Sequence, residues 1–232
     1  MKLVRKSCLR GALEAEGTAV IVDVFRAFSC QPLLFHFGVK RVILEADPVK
    51  ATILRSDNPE FILVGEVNGV PMVHADCGNS PSEMILKGER FFKDRTVIHR
   101  TTSGVAGAIA AREKASEVIL ASFVNARAVA DYIKREKPYQ VTLVAMGERS
   151  KESSPEDEAC VDYLEYLLKG SPYDAVKAFE DVIFHHAAQK FIQGTKDYLP
   201  REDPAFCLQR DIFDFVLRLK CVEGRNEVTI AP

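Results

Sequence analysis

Six short runs rich in β-branched residues alternate along this chain with segments of helical pattern. They are AVIVDV (19–24), RVILEA (41–46), FILVGEV (61–67), RTVIHRT (95–101), EVILAS (117–122) and QVTLVAM (140–146). Each is mostly apolar and too short for a buried helix, which fits a strand covered on both faces. Parallel strands need long crossovers, and the intervening segments supply them. FRAFSCQPLLFHFG, PVKATILRS, SPSEMILKGERFF, SGVAGAIAAREKA and VNARAVADYIKREK read as helices, with Pro32 expected near a helix start or a kink. The expectation is an α/β chain, three layers deep (α/β/α), around a mostly parallel or mixed sheet. After SSPEDEACVDYLEYLLKG comes one long helical stretch, DAVKAFEDVIFHHAAQKFIQG, ending at Gly194, then a tail whose two β runs turn around Gly224. No linker, repeat or low-complexity segment interrupts the chain, so residues 1–232 read as one domain.

Bulk composition excludes several classes. With 31 Lys and Arg against 33 Asp and Glu, the net charge is −2, and no basic stripe with interleaved aromatics is present; a nucleic-acid partner is not expected. No segment approaches the ~18 consecutive apolar residues of a membrane span. MKLVRKSCLRGALEAEG carries charge throughout and has no apolar h-region, which points to a cytoplasmic protein. The six cysteines are scattered singly, without a CxxC pair or a Cys/His knuckle, and read as buried reduced thiols.

In an open parallel sheet, ligands bind beyond the carboxyl ends of the strands. Here several exits carry chemistry. The first strand leaves through Asp23 and Arg26, the third contains Glu66, the fourth leaves through HRTTSG, and the sixth precedes GERSKESSPED. A buried unpaired carboxylate is costly, so Asp23 is either half of a core salt bridge with Arg26 or the edge of a reaction site. In HADCGNSPSEM, Asp76 is followed by Gly78, Asn79, Ser80 and Pro81. Asn79 or Ser80 is expected to cap the next helix, leaving amides for an anion at its positive end. Thr101, Thr102, Ser103 and Gly104 repeat that arrangement, although neither a P-loop nor a dinucleotide fingerprint is present. Glu156 and Asp157 open a helix where acids also serve the dipole. With Asp23, Glu66 and Asp76 they make five carboxylates near strand ends, hard oxygen donors suited to Mg²⁺ beside a phosphate. His36, His185 and His186 read as structural; His74 and His99 lie closer to the site.

VDVFRAFS, GEVNG, DCGNSP, TTSG, PEDEAC and FCLQRDIFDFV, in this order through nearly the whole chain, resemble the 2-phosphosulfolactate phosphatase family, Mg²⁺-dependent acid phosphatases associated with coenzyme M biosynthesis. The resemblance implies a phosphatase with Mg²⁺ as cofactor, acting on a small phosphorylated acid such as 2-phosphosulfolactate or a related phosphorylated 2-hydroxy acid. It implicates Asp23, Arg26, Glu66, Asp76, Asn79, Ser80, Thr101, Thr102, Gly104, Glu156 and Asp157. On physical grounds Asp23 and Arg26 are the catalytic candidates, and Glu66, Asp76, Glu156 and Asp157 the metal candidates. Asn79, Ser80 and the 101–104 turn, Ser103 included, are the phosphate candidates. Asp23 is open to three roles: nucleophile, general base or metal ligand. The chain departs from the family pattern where Val67 stands for an arginine, where His74 and Ala75 replace a GFD-like approach to Asp76, and where TTSGV stands for TTNGT. Those departures motivate an alternative reading, an anion-binding protein without turnover. The sequence is compatible with a homo-oligomer.

Overall fold

The computed structural model describes residues 1–232. Its strands are β1 (Lys2–Ser7), β2 (Thr18–Val22), β3 (Arg41–Leu44), β4 (Ile62–Val67), β5 (Val70–Pro71), β6 (Thr96–Arg100), β7 (Glu117–Ala121), β8 (Gln140–Ala145), β9 (Leu217–Val222) and β10 (Arg225–Ile230). The helices are α1 (Cys8–Leu13), α2 (Ala27–His36), α3 (Pro48–Asp57), α4 (Pro81–Lys87), α5 (Glu89–Phe92), α6 (Gly104–Ala111), α7 (Ala126–Glu136), α8 (Pro155–Lys169), α9 (Ala175–Ile183), α10 (His186–Ile192) and α11 (Asp203–Cys207). All six apolar runs are strands. No helix is long and apolar enough to cross a membrane.

One ten-stranded sheet runs in the order β1-β8-β2-β7-β9-β10-β3-β6-β4-β5. It consists of two parallel blocks, β1-β8-β2-β7 and β3-β6-β4, joined by the antiparallel hairpin β9–β10. Because β9 is antiparallel to β7 and β10 to β3, the blocks run in opposite senses along the ladder. Their carboxyl ends nonetheless meet: a Cβ on Gly104, just beyond β6, would stand 2.7 Å from Asp23 Oδ2, just beyond β2. Strand twist accumulates in one hand across a sheet, by roughly 20–25° per step. A sheet this wide can therefore curl until the two sets of exits share one place.

Side chains alternate across the strands as the pleat requires. Ala19 and Ile21 of β2 point into an inner core that includes residues from both blocks together with α2 and α6. Val20 and Val22 point outward, under α7 and α8. A smaller outer core of β3, β4 and β6 residues includes Ala51 of α3. Helices thus cover both faces, as the near-continuous apolar runs demand. Small residues let α6 sit deep. A Cβ on Gly107 would collide with the Met146 sulfur just beyond β8.

Cys8 and Cys221 are not buried, unlike the other four cysteines, and three further features narrow, correct or add to the sequence expectations. Pro32 lies inside α2 rather than at its start. It has no N–H for the Phe28 carbonyl one turn back, and the Ser122 hydroxyl donates to that oxygen instead, at 3.0 Å. The long helical stretch breaks at Phe184 into α9 and α10, because His185 adopts extended backbone and its Nδ1 accepts from Ala187 N as the cap of α10. And KLVRKS, whose charges obscure it, forms the sheet-edge strand β1, where lysine and arginine guard an unpaired edge.

The hairpin supplies the only strand pairing that joins the blocks into one sheet, and Leu217 of β9 is fully buried in the inner core. Leu217→Ala is expected to lower unfolding free energy by about 2–5 kcal/mol in urea titrations. Ile230→Ala, at a half-exposed position of β10, is expected to cost less than about 1 kcal/mol.

Candidate active site

The exits of β2, β4, β6 and β8, the start of α8, and α10 with the segment after it line an open-mouthed cavity of about 160 Å³. Asp23 lies on its wall, buried, with Oδ1 accepting from Ala27 N at 3.2 Å and the carboxylate also accepting from Gly104 N. Burial pushes Asp23 up to about 6, against those two donors, and the charge of Glu66 adds to the rise.

Asp157, in the first turn of α8, accepts from Val24 N at 2.7 Å and from Gly147 N at 2.8 Å, one oxygen to each. It thereby ties the exits of β2 and β8 to the start of α8. Burial raises its pKa far above the usual carboxylate range, and Asp23 and Glu156 add to this. Glu156, beside it, is raised to about 7, mainly by burial, and its Oε2 is buried without a hydrogen-bond partner. Acids at a helix start commonly serve the dipole. These two instead face the cavity.

The turn after β6 is organised by Glu66. Its carboxylate accepts from Thr102 N, from the Thr102 hydroxyl at 3.1 Å and from Gly69 N. Arg100, which the sequence reading passed over, donates to the Glu66 carbonyl and to the Thr102 hydroxyl. Gly104 N is given to Asp23, and Val105 N to the Thr101 hydroxyl oxygen. Three amides of this turn, Thr102, Gly104 and Val105, are therefore occupied by the protein's own carboxylates and by Thr101. Thr101, Thr102 and Ser103 line the cavity, and the Ser103 hydroxyl caps nothing.

The turn before α4 shows the same substitution. Ser80 is its N-cap, as the sequence suggested, but the Ser80 hydroxyl donates to Asp203 at 2.8 Å, and Ser82 donates to Asp203 through both its amide and its hydroxyl. Asp203 is fully buried and also holds Arg26, Nη1 to Oδ2, at 2.8 Å. The Asp23–Arg26 pair considered from the sequence is thus replaced by Asp203–Arg26, and Arg26 lines the cavity with its guanidinium 5.2 Å from the Phe191 ring centre. Asn79 also lines it. Its Oδ1 lies 3.1 Å from His99 Nε2, and His99 Nδ1 lies 3.1 Å from Gln31 Nε2. Lys190 and Lys196 also line the cavity; Lys190 meets Glu148 at 3.2 Å and its charge acts on Glu156.

Asp76 stands elsewhere. Its carboxylate accepts from Leu63 N at 2.8 Å and forms a salt bridge with Arg55 at 3.0 Å, which pins the loop to α3 rather than to the cavity. His74 is exposed and does not line the cavity, and His186 pairs with Glu148 at its mouth. Two departures from the family pattern also fall outside the cavity: Val105 is fully buried in the inner core, and Val67 lies beside Met72 and Val73 in a separate apolar groove. Asp203 and Lys190 left no signal in the sequence reading. An acidic pair before Pro204 and a lysine in a helix look ordinary until the chain folds.

The family model described as 2-phosphosulpholactate phosphatase matches residues 5–221. The chain belongs to this family. Among its relatives, a probable 2-phosphosulfolactate phosphatase of Bacillus subtilis is 29% identical over 204 residues, covering 87% of this chain and 86% of the relative. One from Clostridium perfringens (strain 13 / Type A) is 29% identical over 232 residues, covering 91% and 92%. One from Thermoplasma acidophilum is 28% identical over 155 residues, or 67% of each chain. In this member of the 2-phosphosulpholactate phosphatase family, no three carboxylate, imidazole or thiol side chains converge as a ready-made metal cage. Mg²⁺ does not require one, since it keeps several waters and takes one or two carboxylates plus phosphate. The unpartnered Glu156 oxygen, and carboxylates whose charge is resisted only by burial and each other, fit such an ion.

His99 supplies a pH test. Burial lowers its pKa from 6.5 to about 3. Below pH 6.5 the unfolded chain takes up a proton that the folded chain refuses, so His99 withdraws stability as pH falls from about 6.5 toward 3, by an amount approaching ~5 kcal/mol at the acid end. Above pH 6.5 it has no such effect. His99→Gln is expected to gain on the native protein as pH is lowered through that window, in denaturant titrations at fixed ionic strength. A pH-independent difference would contradict the burial of a neutral imidazole.

Proposed function

We propose that this protein is a Mg²⁺-dependent phosphomonoesterase acting on 2-phosphosulfolactate or a related phosphorylated 2-hydroxy acid. The observation that carries this reading is the convergence on one small cavity of three carboxylates, Asp23, Glu156 and Asp157, and the donors Arg26, Asn79, Ser103 and Lys190. A protein that merely bound anions would gain nothing from three buried carboxylates beside them. Glu156 and Asp157 are the residues that would hold Mg²⁺. Bound there, the ion would neutralise their charge and polarise a phosphoryl oxygen.

The chain's own residues supply the rest. Arg26, held by Asp203, and the neutral donors of Asn79 and Ser103 orient the phosphoryl group and take up charge on its oxygens as the bond to the leaving alkoxide lengthens. Asp23 has a pKa raised to about 6, within reach of a general base that takes the proton of an attacking water. Lys190 and Lys196 at the mouth face the acid groups of such a substrate. Phe25 and Phe191, 5.6 Å apart, help keep bulk water away.

Phosphate release is measured from 2-phosphosulfolactate and from an aryl phosphate, with Mg²⁺ and with EDTA. Metal-dependent release is expected. Asp23→Asn is expected to remove about 100-fold or more of turnover with the fold intact, whereas Asp76→Asn stays within about fivefold of the native rate. Anion binding without release from either substrate favours the non-catalytic alternative, and equal losses in the two variants would put the site in the wrong place.

A further inference from the structure

A buried chain of three side chains runs from the inner core to the cavity: Gln31 on α2, His99 on β6 and Asn79 in the turn before α4. Gln31 and His99 are fully buried, and both contacts are 3.1 Å. Hydrogen-bond arithmetic fixes its direction. An amide nitrogen can only donate, so Gln31 Nε2 makes His99 Nδ1 an acceptor. A neutral imidazole then carries its single proton on Nε2 and gives it to Asn79 Oδ1. With its oxygen engaged, the Asn79 carboxamide has only its nitrogen left for the cavity it lines. The reverse direction requires Gln31 to turn over. It would put a buried NH₂ group where the unpartnered Gln31 Oε1 now sits, and orphaned N–H groups are rarer and costlier than an under-used carbonyl oxygen.

We infer that His99 is a positioning residue: it holds Asn79 with nitrogen rather than oxygen toward the cavity, so that the site presents a neutral N–H donor to the phosphoryl group. This rests on the phosphomonoesterase reading above, and it adds a selection rule. At the Asn79 position an acceptor such as a phosphoryl oxygen is matched, and a donor such as an ammonium or an amide N–H is refused. The neighbouring wall needs this help, because the Thr102, Gly104 and Val105 amides are already given to Glu66, Asp23 and Thr101. Burial keeps the imidazole neutral, so the orientation persists at any pH where the protein is folded and working.

The test is a cycle of His99→Leu, Asn79→Ala and the double variant, with inhibition by inorganic phosphate and KM against kcat as readouts and His99→Gln as the conservative control. His99→Leu is expected to weaken phosphate inhibition and raise KM by about 10- to 100-fold, the range of a hydrogen bond to a charged group, with a smaller effect on kcat. The double variant is expected to be no worse than Asn79→Ala, because the two residues act through one contact. His99→Gln, which can accept from Gln31 and donate to Asn79, recovers most of the loss. Additive losses, or a folded His99→Leu protein with native phosphate affinity, overturn the inference. Nitrogen NMR of the native imidazole decides it without any variant: protonated Nε2 with unprotonated Nδ1 is expected, and the opposite tautomer refutes it. If the native enzyme releases no phosphate from any phosphomonoester, the phosphatase reading fails, and the tautomer still reports which way Asn79 faces.

Discussion

The arrangement depends on one carboxylate with two backbone partners. Asp157 receives Val24 N on one oxygen and Gly147 N on the other, and so fixes where β2, β8 and α8 end or begin relative to one another. Both amides lie just past strand ends, where the sheet offers them no neighbour, and a buried N–H left unmade is among the costlier defects a fold can carry. Asp157 removes two such defects at once. In doing so it brings a charge against Asp23 and Glu156 that burial alone would expel, so stability is set against reactivity at this point. The same contact that closes the fold crowds buried carboxylates against one another.

The two turns that look like anion cradles are filled from within. Asp203 occupies the start of α4, and Asp23 with Glu66 occupies the turn leading into α6. A helix start attracts negative charge whatever its source, and here side chains arrive before any ligand does. The donors that remain are side chains held at fixed orientation by buried partners: Arg26 by Asp203, and Asn79 by His99. Preorganised donors of this kind need not reorganise during the reaction, which makes them more effective than flexible ones.

Much of this was readable in the amino-acid order. The apolar runs and their spacing foretold six of the strands, and the acidic and hydroxyl residues at their ends marked Asp23, Glu66, Thr101, Ser103, Glu156 and Asp157, which line the cavity or stand beside it. What escaped is what depends on distance along the chain. Asp76 carries the same chemical label as Asp23, but Arg55, 21 positions earlier, claims it. Arg26 has an acid three residues away and yet pairs with one 177 positions later. Local pattern reports which groups can make an interaction; the curl of the sheet decides which of them do. His185 shows the limit from the other side, since a helical period continues through it while a single side-chain cap breaks the helix.

The hairpin in the middle of the sheet bears on the order of events during synthesis. Within the blocks only β4 and β6 pair across a local strand–helix–strand unit; the ladders of β1-β8-β2-β7 join partners such as Thr18 and Glu117 or Lys2 and Gln140, far apart in the chain. The blocks have no direct ladder between them until Leu217–Ile230 has been made, because β7 and β3 both wait for its strands. During that interval the growing chain carries two open sheet edges flanked by apolar faces, the kind of species that invites pairing with other chains. Of these last contacts, the β10–β3 ladder has the longest sequence separation in the sheet and forms slowly for that reason. The reaction cavity, made from the exits of both blocks, therefore comes into being only as the final strands dock.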